Sequence, residues 1–342
     1  MELGERKFRI LQAIIDDYIL TALPVGSRTI SRKHGLNLSS ATIRNEMSDL
    51  EELGYLAQPH TSAGRIPSWR AYRLYVDHIM HFTQLPSDDQ RLIREMFAGR
   101  MQQMEDIAQT AAQALSELTN YTGMALSPQK QPAKIKRVQL VPISDGQALM
   151  IVVDEAGGYY ESMLQVKGDI SPDQYNMLSN YISAYMAGSD GQDVDFSEII
   201  AQVREHKEVL SSILTAFAKR ETAQKPRLVV LGTSKVLNQP EYNDLDKAKS
   251  MIAALETSEQ LKQVMLSKAQ MDFSITIGPE LSIEGIQDSS LVTVAYRMGG
   301  QSGSMGVIGP TRMQYARVLS VMAAMRRAMG EILGNDDESE DT

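Results

Sequence analysis

Residues 136–166 carry three β-rich runs, KRVQLVPI, ALMIVVD and YYESMLQV, separated by Asp145-Gly146 and Gly157-Gly158. Those pairs supply the positive φ angles of tight hairpin turns, so the runs read as an antiparallel meander. RLVVLGT (227–233) makes a further strand, and FSITIG, LVTVAYR and SMGVIG make the end of the chain β-rich again. Helical periodicity fills 171–187, 193–222, 241–254, 258–269 and 311–333, and a long helical stretch at 87–120 breaks near Gly99. Residues 121–134 read as irregular. The body is therefore α+β with an antiparallel sheet, and the helical block at 170–225 interrupts it as an insertion or separate subdomain.

The chain has 342 residues, and at about 150 residues per domain that suggests two or three domains. Hydrophobic residues make up 43% and charged residues 23%, as in folded proteins rather than disordered ones. No apolar run approaches the roughly 20 residues of a membrane helix, and MELGERKFRI leads into an amphipathic pattern unlike a signal peptide. There is no cysteine, which removes disulfides, thiol nucleophiles and thiolate metal sites and suits a reducing cytosol, so a cytoplasmic location is expected.

The N-terminal segment is the most informative. Residues 5–21 place Phe8, Leu11, Ile14, Ile15, Tyr18 and Ile19 on one helical face. Pro24 and Gly26 end that helix. Ser27 caps a second, Arg28 to Lys33, which Gly35 closes. Ser39 or Ser40 caps a third that runs to Leu53 with the apolar stripe Ile43, Met47, Leu50 and Leu53, and Gly54 stops it. A short strand at 55–58 and the turn-rich PHTSAGRIP follow, with Gly64-Arg65 read near the tip, and 68–82 returns to helix. Three helices, a strand and a basic glycine loop make a winged helix-turn-helix. Its third helix fits the DNA major groove, which admits one α-helix.

With 43, 47 and 50 facing the core, Thr42, Arg44, Asn45 and Ser48 are left outward. Arg and Asn suit bidentate contacts to guanine and adenine edges. Ser39, Ser40 and the helix N-terminus can hold a phosphate, Arg28 and Arg32 add charge on the second helix, and His60, Thr61 and Arg65 lie on the wing. The formal net charge of −9 speaks against a general nucleic-acid binder, but it is an average. Residues 1–82 hold 10 Lys+Arg against 9 Asp+Glu, and within 28–73 the balance is 7 to 4. The remainder carries a net −10. Glu46, Asp49, Glu51 and Glu52 on the third helix count against DNA binding, and a protein-binding helical module is the competing reading.

PVGSRTISRKHGLNLSSATIRNEMSDLEELGYLAQPHTSAGRIPS resembles the N-terminus of HrcA, a family of heat-inducible bacterial transcription repressors. GTSKVLNQPEY (232–242), IGPELSIEGIQDSSLVTVAYR (277–297) and GVIGPTRMQYARV (306–318) resemble later blocks of the same family, so the similarity runs nearly end to end. The resemblance implies a winged-helix domain at 1–82, a GAF-like α/β domain with antiparallel sheet at 88–168 and 226–334, and an inserted, mainly helical dimerising domain at 169–225; the acidic tail at 335–342 departs from the family, and the resemblance leaves its role open. It also implies a homodimer on double-stranded operator DNA, the inverted repeat called CIRCE, and a GroEL chaperonin that keeps the repressor active until heat diverts it. A ligand-sensing or protein-interaction regulator is the alternative.

Other candidate sites read as structural. His78 and His81, three apart on one helix near Asp77, have no further His or Cys cluster to complete a metal site. Gly299-Gly300-Gln301-Ser302-Gly303 lies between two β-rich runs and reads as a hairpin turn, because a phosphate-binding glycine loop opens a helix. Gly232-Thr233-Ser234-Lys235 lacks the upstream spacing of a P-loop. In GPTRM (309–313) Thr311 reads as a helix cap and Tyr315 and Val318 as packing residues, with Arg312 and Arg317 placed for a dimer or interdomain contact. The 20 methionines, Met96, Met101 and Met104 among them, form no cofactor box and read as adaptable packing. No cofactor, metal or catalytic constellation is expected.

Overall fold

Three helices open the chain: α1 (Glu5–Thr21), α2 (Ser27–Lys33) and α3 (Ser40–Glu52). This is a computed structural model, and it describes residues 3–33, 35–60, 63–78, 85–98, 104–127, 134–155, 157–166, 170–189, 207–224, 226–256, 259–269, 271–298 and 301–333. α1 buries Ile10, Leu11, Ile14, Ile15 and Ile19 at the expected spacing. Two-residue strands β1 (Leu56–Ala57) and β2 (Ile66–Pro67) pair antiparallel, and α4 (Trp69–His78) follows.

α5 (Ser87–Ala98), α6 (Met104–Thr119) and β3 (Thr122–Leu126) come next. The expected irregular stretch 121–134 thus contains a strand, buried at every position. Five residues are too few to show a period, and Gly123 hides the strand further. That glycine is required, because a Cβ there would lie 2.1 Å from the Ala112 carbonyl oxygen of α6.

After the segment described separately below, β7 (Leu228–Leu231), 3₁₀ turns at Thr233–Asn238 and Pro240–Tyr242, α9 (Leu245–Glu256), α10 (Glu259–Ser267), β8 (Phe273–Ile277), β9 (Ser289–Met298), β10 (Gln301–Pro310) and α11 (Tyr315–Leu333) complete the fold. The five strands form one antiparallel sheet in the order β7-β3-β10-β9-β8. One face presents Val292, Val294, Tyr296, Met305 and Val307 to a core that includes α6 and α11. The other presents Met124, Leu126, Leu291 and Ile308 to Met251, Leu255, Leu261 and Met265 of α9 and α10. The last helix starts at Tyr315 rather than 311: the Thr311 N–H goes to the Asp288 carbonyl, so Thr311 closes a turn and does not cap. β9 and β10 pair directly, Met298 opposite Gln301, as a hairpin requires, while Gly299 and Gly300 lie outside the described residues.

Residues 1–128 and 227–342 form one compact unit, and residues 129–226 form the second. The expected 1–82 module therefore shares a unit with the body. The second unit is wider than the expected 169–225 insert: the meander β4 (Ile135–Ser144), β5 (Gln147–Asp154) and β6 (Tyr159–Gln165) belongs to it, with α7 (Pro172–Met186) and α8 (Lys207–Gln224). Val138, Leu140, Met150, Val152 and Leu164 pack on Tyr175, Leu178, Ile182, Val209, Ile213 and Phe217. Serines of α7 serve the free edge of β4. The Val138 N–H donates to Ser183 Oγ and the Leu140 N–H to Ser179 Oγ, both at 2.8 Å. An edge strand whose backbone donors are met by a helix needs no further strand there, which ties the meander to the helices that follow it.

Candidate nucleic-acid interface

α3 is amphipathic in the strict sense. Ile43, Met47 and Leu50 are buried, and Ala41, Arg44, Asn45 and Ser48 form the opposite, exposed stripe at the same spacing. Ser39 is the N-cap: its Oγ accepts from the Thr42 N–H at 3.1 Å and lies 2.9 Å from Thr42 Oγ1. Both hydroxyls are thus committed to the cap. The backbone N–H groups of Ser40 and Ala41 belong to the first turn, whose donors an α-helix cannot satisfy internally. The turn from α2 needs two left-handed residues, Gly35 at φ 58° and Asn37 at φ 52°, and Ser31 Oγ fastens it by donating to the Leu38 carbonyl at 3.0 Å.

The segment expected to form a wing differs from its expected shape at one residue. Val25 and Arg65 exchange two backbone hydrogen bonds, each 2.9 Å, so the segment after α1 adds a bridge beside β1 and β2. Gly64 permits this: a Cβ there would stand 2.4 Å from the Val25 carbonyl oxygen. Arg65 is consequently at the base of the β1–β2 hairpin, not near the tip of its turn. Its guanidinium pairs with Glu51 of α3 at 2.8 Å and its side chain is 18% exposed. His60 is exposed at the turn and its carbonyl accepts from Ala63; Thr61 lies outside the described residues.

The other charges sort by position. Lys7 of α1 reaches Glu46 at 2.9 Å and Asp49 at 2.8 Å, and Arg6 adds a 3.6 Å contact to Glu46. Hydrogen bonds to Asp49 and Glu46 push the Lys7 ammonium above its ordinary pKa. Lys33 pairs with the buried Asp17 at 2.8 Å. Three of the four acids that count against DNA binding are therefore matched by cations of the same module. Arg28, Arg32 and Arg44 are exposed and form no ion pair among the described residues. None of the matching partners was readable in advance, because each pair joins residues far apart in sequence.

Arg312 and Arg317 lie elsewhere. Arg312 is 9% exposed, with Nε and Nη2 on the Glu241 carboxylate, Nη2 on Gln239 Oε1 at 3.1 Å and Nη1 on the Ile19 carbonyl at 3.3 Å. Arg317 Nη2 donates to Asp89 Oδ2 and to the Leu118 carbonyl, both at 3.2 Å, which ties α11 to α5 and to the end of α6. His78 is exposed at the end of α4, while His81 is outside the described residues. No group of three or more His, Asp or Glu that could hold a metal ion occurs among the described residues, and none of the described helices is long and apolar enough to cross a membrane.

The model of the HrcA protein C-terminal domain matches residues 105–319. A heat-inducible transcription repressor HrcA from Carboxydothermus hydrogenoformans is 37% identical over 97% of this chain and 99% of its own length. The chain belongs to the HrcA family. A second HrcA, from Ruminiclostridium cellulolyticum, is 40% identical over 97% of each chain, so the kinship includes the α1–α4 module that the domain model leaves out. A crystal structure of a hypothetical protein, 22% identical, superposes with a TM-score of 0.63 over 98% of this chain and all of its own, which extends the shared fold across both units.

Proposed function

We propose that this HrcA-family chain is a repressor of heat-inducible genes whose residues 1–82 form a winged helix-turn-helix reading double-stranded DNA. The observation that carries the reading is the division of the module's cations. Arg28, Arg32 and Arg44 stay exposed on α2 and α3 with no ion pair among the described residues, while Lys7, Lys33 and Arg65 are spent on acids. An unpaired cation on the presented face is what phosphate neutralisation needs. Arg44 and Asn45 take the base edges. The first-turn N–H groups of Ser40 and Ala41, with Arg28 and Arg32, take phosphates, and Ser48 and His60 flank the contact. Ser39 and Thr42 shape the helix end, and Arg65 braces the wing.

The body of the first unit is read as GAF-like. The second sheet face, where a small effector would sit, is filled by Met124, Leu126, Ile308 and the side chains of α9 and α10. A homodimer on an inverted repeat, the CIRCE operator, is the economical assembly, since two-fold operators match two-fold proteins. The meander offers a surface for it: Tyr159 is 74% and Met163 53% exposed on the side of β6 away from the core, beside the half-buried Leu149, Ile151 and Val153 of β5. Release on heating through GroEL rests on the family alone.

A gel shift decides the reading. Binding to an inverted-repeat operator is expected to exceed binding to scrambled DNA and to weaken with salt at a log–log slope of about −0.9 per phosphate contacted. Equal affinity for both sequences overturns it.

A further inference from the structure

The α1–α4 module is fused to the body. Ile10, Ile14, Ala71 and Tyr72 of the module belong to one buried cluster with Val318, Met322 and Val294 of the body. Two arginines cross this junction in opposite directions.

From the body, Arg312 spans Glu241 and the Ile19 carbonyl of α1. That carbonyl is an orphan of the helix end: the Leu23 N–H, which would continue the helix to it, turns instead to Thr21 Oγ1 at 3.3 Å. From the module, Arg73 of α4 donates to the Ile275 carbonyl of the edge strand β8 at 2.9 Å and lies 3.5 Å from Glu280. Its Nε is held by Asp77 at 3.0 Å. A third contact joins α4 to α11, where the Tyr72 and Tyr315 rings lie 6.4 Å apart. The Tyr315 hydroxyl is fixed by Ser290 and by the Thr311 carbonyl. Swinging the module away from the body would strip each guanidinium of an acceptor, at a buried site for Arg312 and a half-buried one for Arg73.

We infer that Arg312 and Arg73 are positioning residues that fix the angle of α3 to the body, and so set the operator half-site spacing the protein accepts without touching DNA. This rests on the DNA-reading proposal above. The physics is that of effective concentration. Once one module of a dimer is bound, a rigid junction presents the second at one distance and one angle, whereas a loose junction spreads it over many.

The absence of cysteine makes the test direct. Glu52→Cys on α3 and Asp246→Cys on α9, both at exposed positions, accept spin labels in the full-length chain, and the label-to-label distance distribution reports the junction. It is expected to be narrow in the otherwise native chain and broad when Arg312→Met and Arg73→Met are combined. With DNA, the double variant should keep its affinity for an isolated half-site. It should lose roughly tenfold or more on the full operator and accept altered spacings more evenly. Arg317→Met, which breaks contacts inside the body, should lower the melting temperature and leave both readouts alone. If the double variant does not fold, Arg312→Lys and Arg73→Lys serve singly, since lysine keeps the charge and loses the planar fork. A narrow distance distribution in the folded variants, or half-site and full-site affinities falling together, overturns the inference. Failure of the native chain to prefer operator over scrambled DNA overturns the DNA reading instead, and the distances still decide whether the arginines hold the module.

Discussion

The two faces of α3 carry unlike residues to opposite ends. On one face Ile43, Met47 and Leu50 are sealed into the core. On the other, Arg44, Asn45 and Ser48 stand exposed, and Arg44 has no ion pair among the described residues. The acids of the helix are distributed with the same economy: Glu46 and Asp49 are met by Lys7, and Glu51 by Arg65. As a DNA-reading surface, the role proposed for it, such a face is defined less by how many cations a module holds than by which of them stay out of ion pairs. The −9 net charge of the whole chain hides this, and so does the near-neutral balance of its first 82 residues.

Substitutions on the two faces should therefore separate stability from binding. Leu50→Ala, fully buried, is expected to cost about 2–5 kcal/mol of stability, lowering the melting temperature and binding to every DNA sequence together. Asn45→Ala and Arg44→Ala should leave the melting curve in place and cost about 1–3 kcal/mol each in operator binding, relaxing preference at one position per half-site. Competition assays with single-base operator variants read this. A uniform loss over all variants would reassign both residues to phosphate.

The same comparison explains how far the sequence could be read. The stripe of α3, its serine cap and the outward Arg44 and Asn45 follow from a local period of 3.6, so they were legible. Arg65 was not. Its placement depends on Val25 across the bridge and on Glu51 in another element, neither of which a local pattern reveals. The border of the second unit failed for a related reason. The meander was evident from its turns, but its partnership with α7 rests on Ser179 and Ser183 reaching the β4 edge, a fact of tertiary structure. β3 stays hidden in the sequence because a five-residue strand containing glycine shows no alternation.

Arg28 and Arg32 supply a milder contrast with Arg44. They lie exposed on α2, outside the exposed stripe of α3 proposed to read base edges. Arg28→Ala and Arg32→Ala should weaken operator and scrambled DNA by the same factor, and each should reduce the salt slope by about 0.9 if it neutralises one phosphate. Titrations across a salt series read both quantities. A sequence-dependent loss would move the affected arginine from the backbone to the bases.

Lys7 gives the smallest expected effect and the finest probe of the pairing argument. It makes no place for itself on the presented face; its ammonium sits between Glu46 and Asp49 at under 3 Å from each. Lys7→Met leaves Glu46 with the longer 3.6 Å contact to Arg6 and removes the described partner of Asp49, which is exposed next to Ser48. The unmasked negative charge then repels the DNA backbone at long range. Affinity should fall slightly at low salt, for operator and scrambled DNA alike. The loss should fade as salt approaches about 0.15 M, where the screening length is ~8 Å. Because the repulsion carries no sequence information, base preference should be unchanged. A loss that persists at high salt would mean that Lys7 shapes α3 through packing rather than by neutralising its acids, and the division between paired and unpaired cations would then lose its electrostatic meaning at this position.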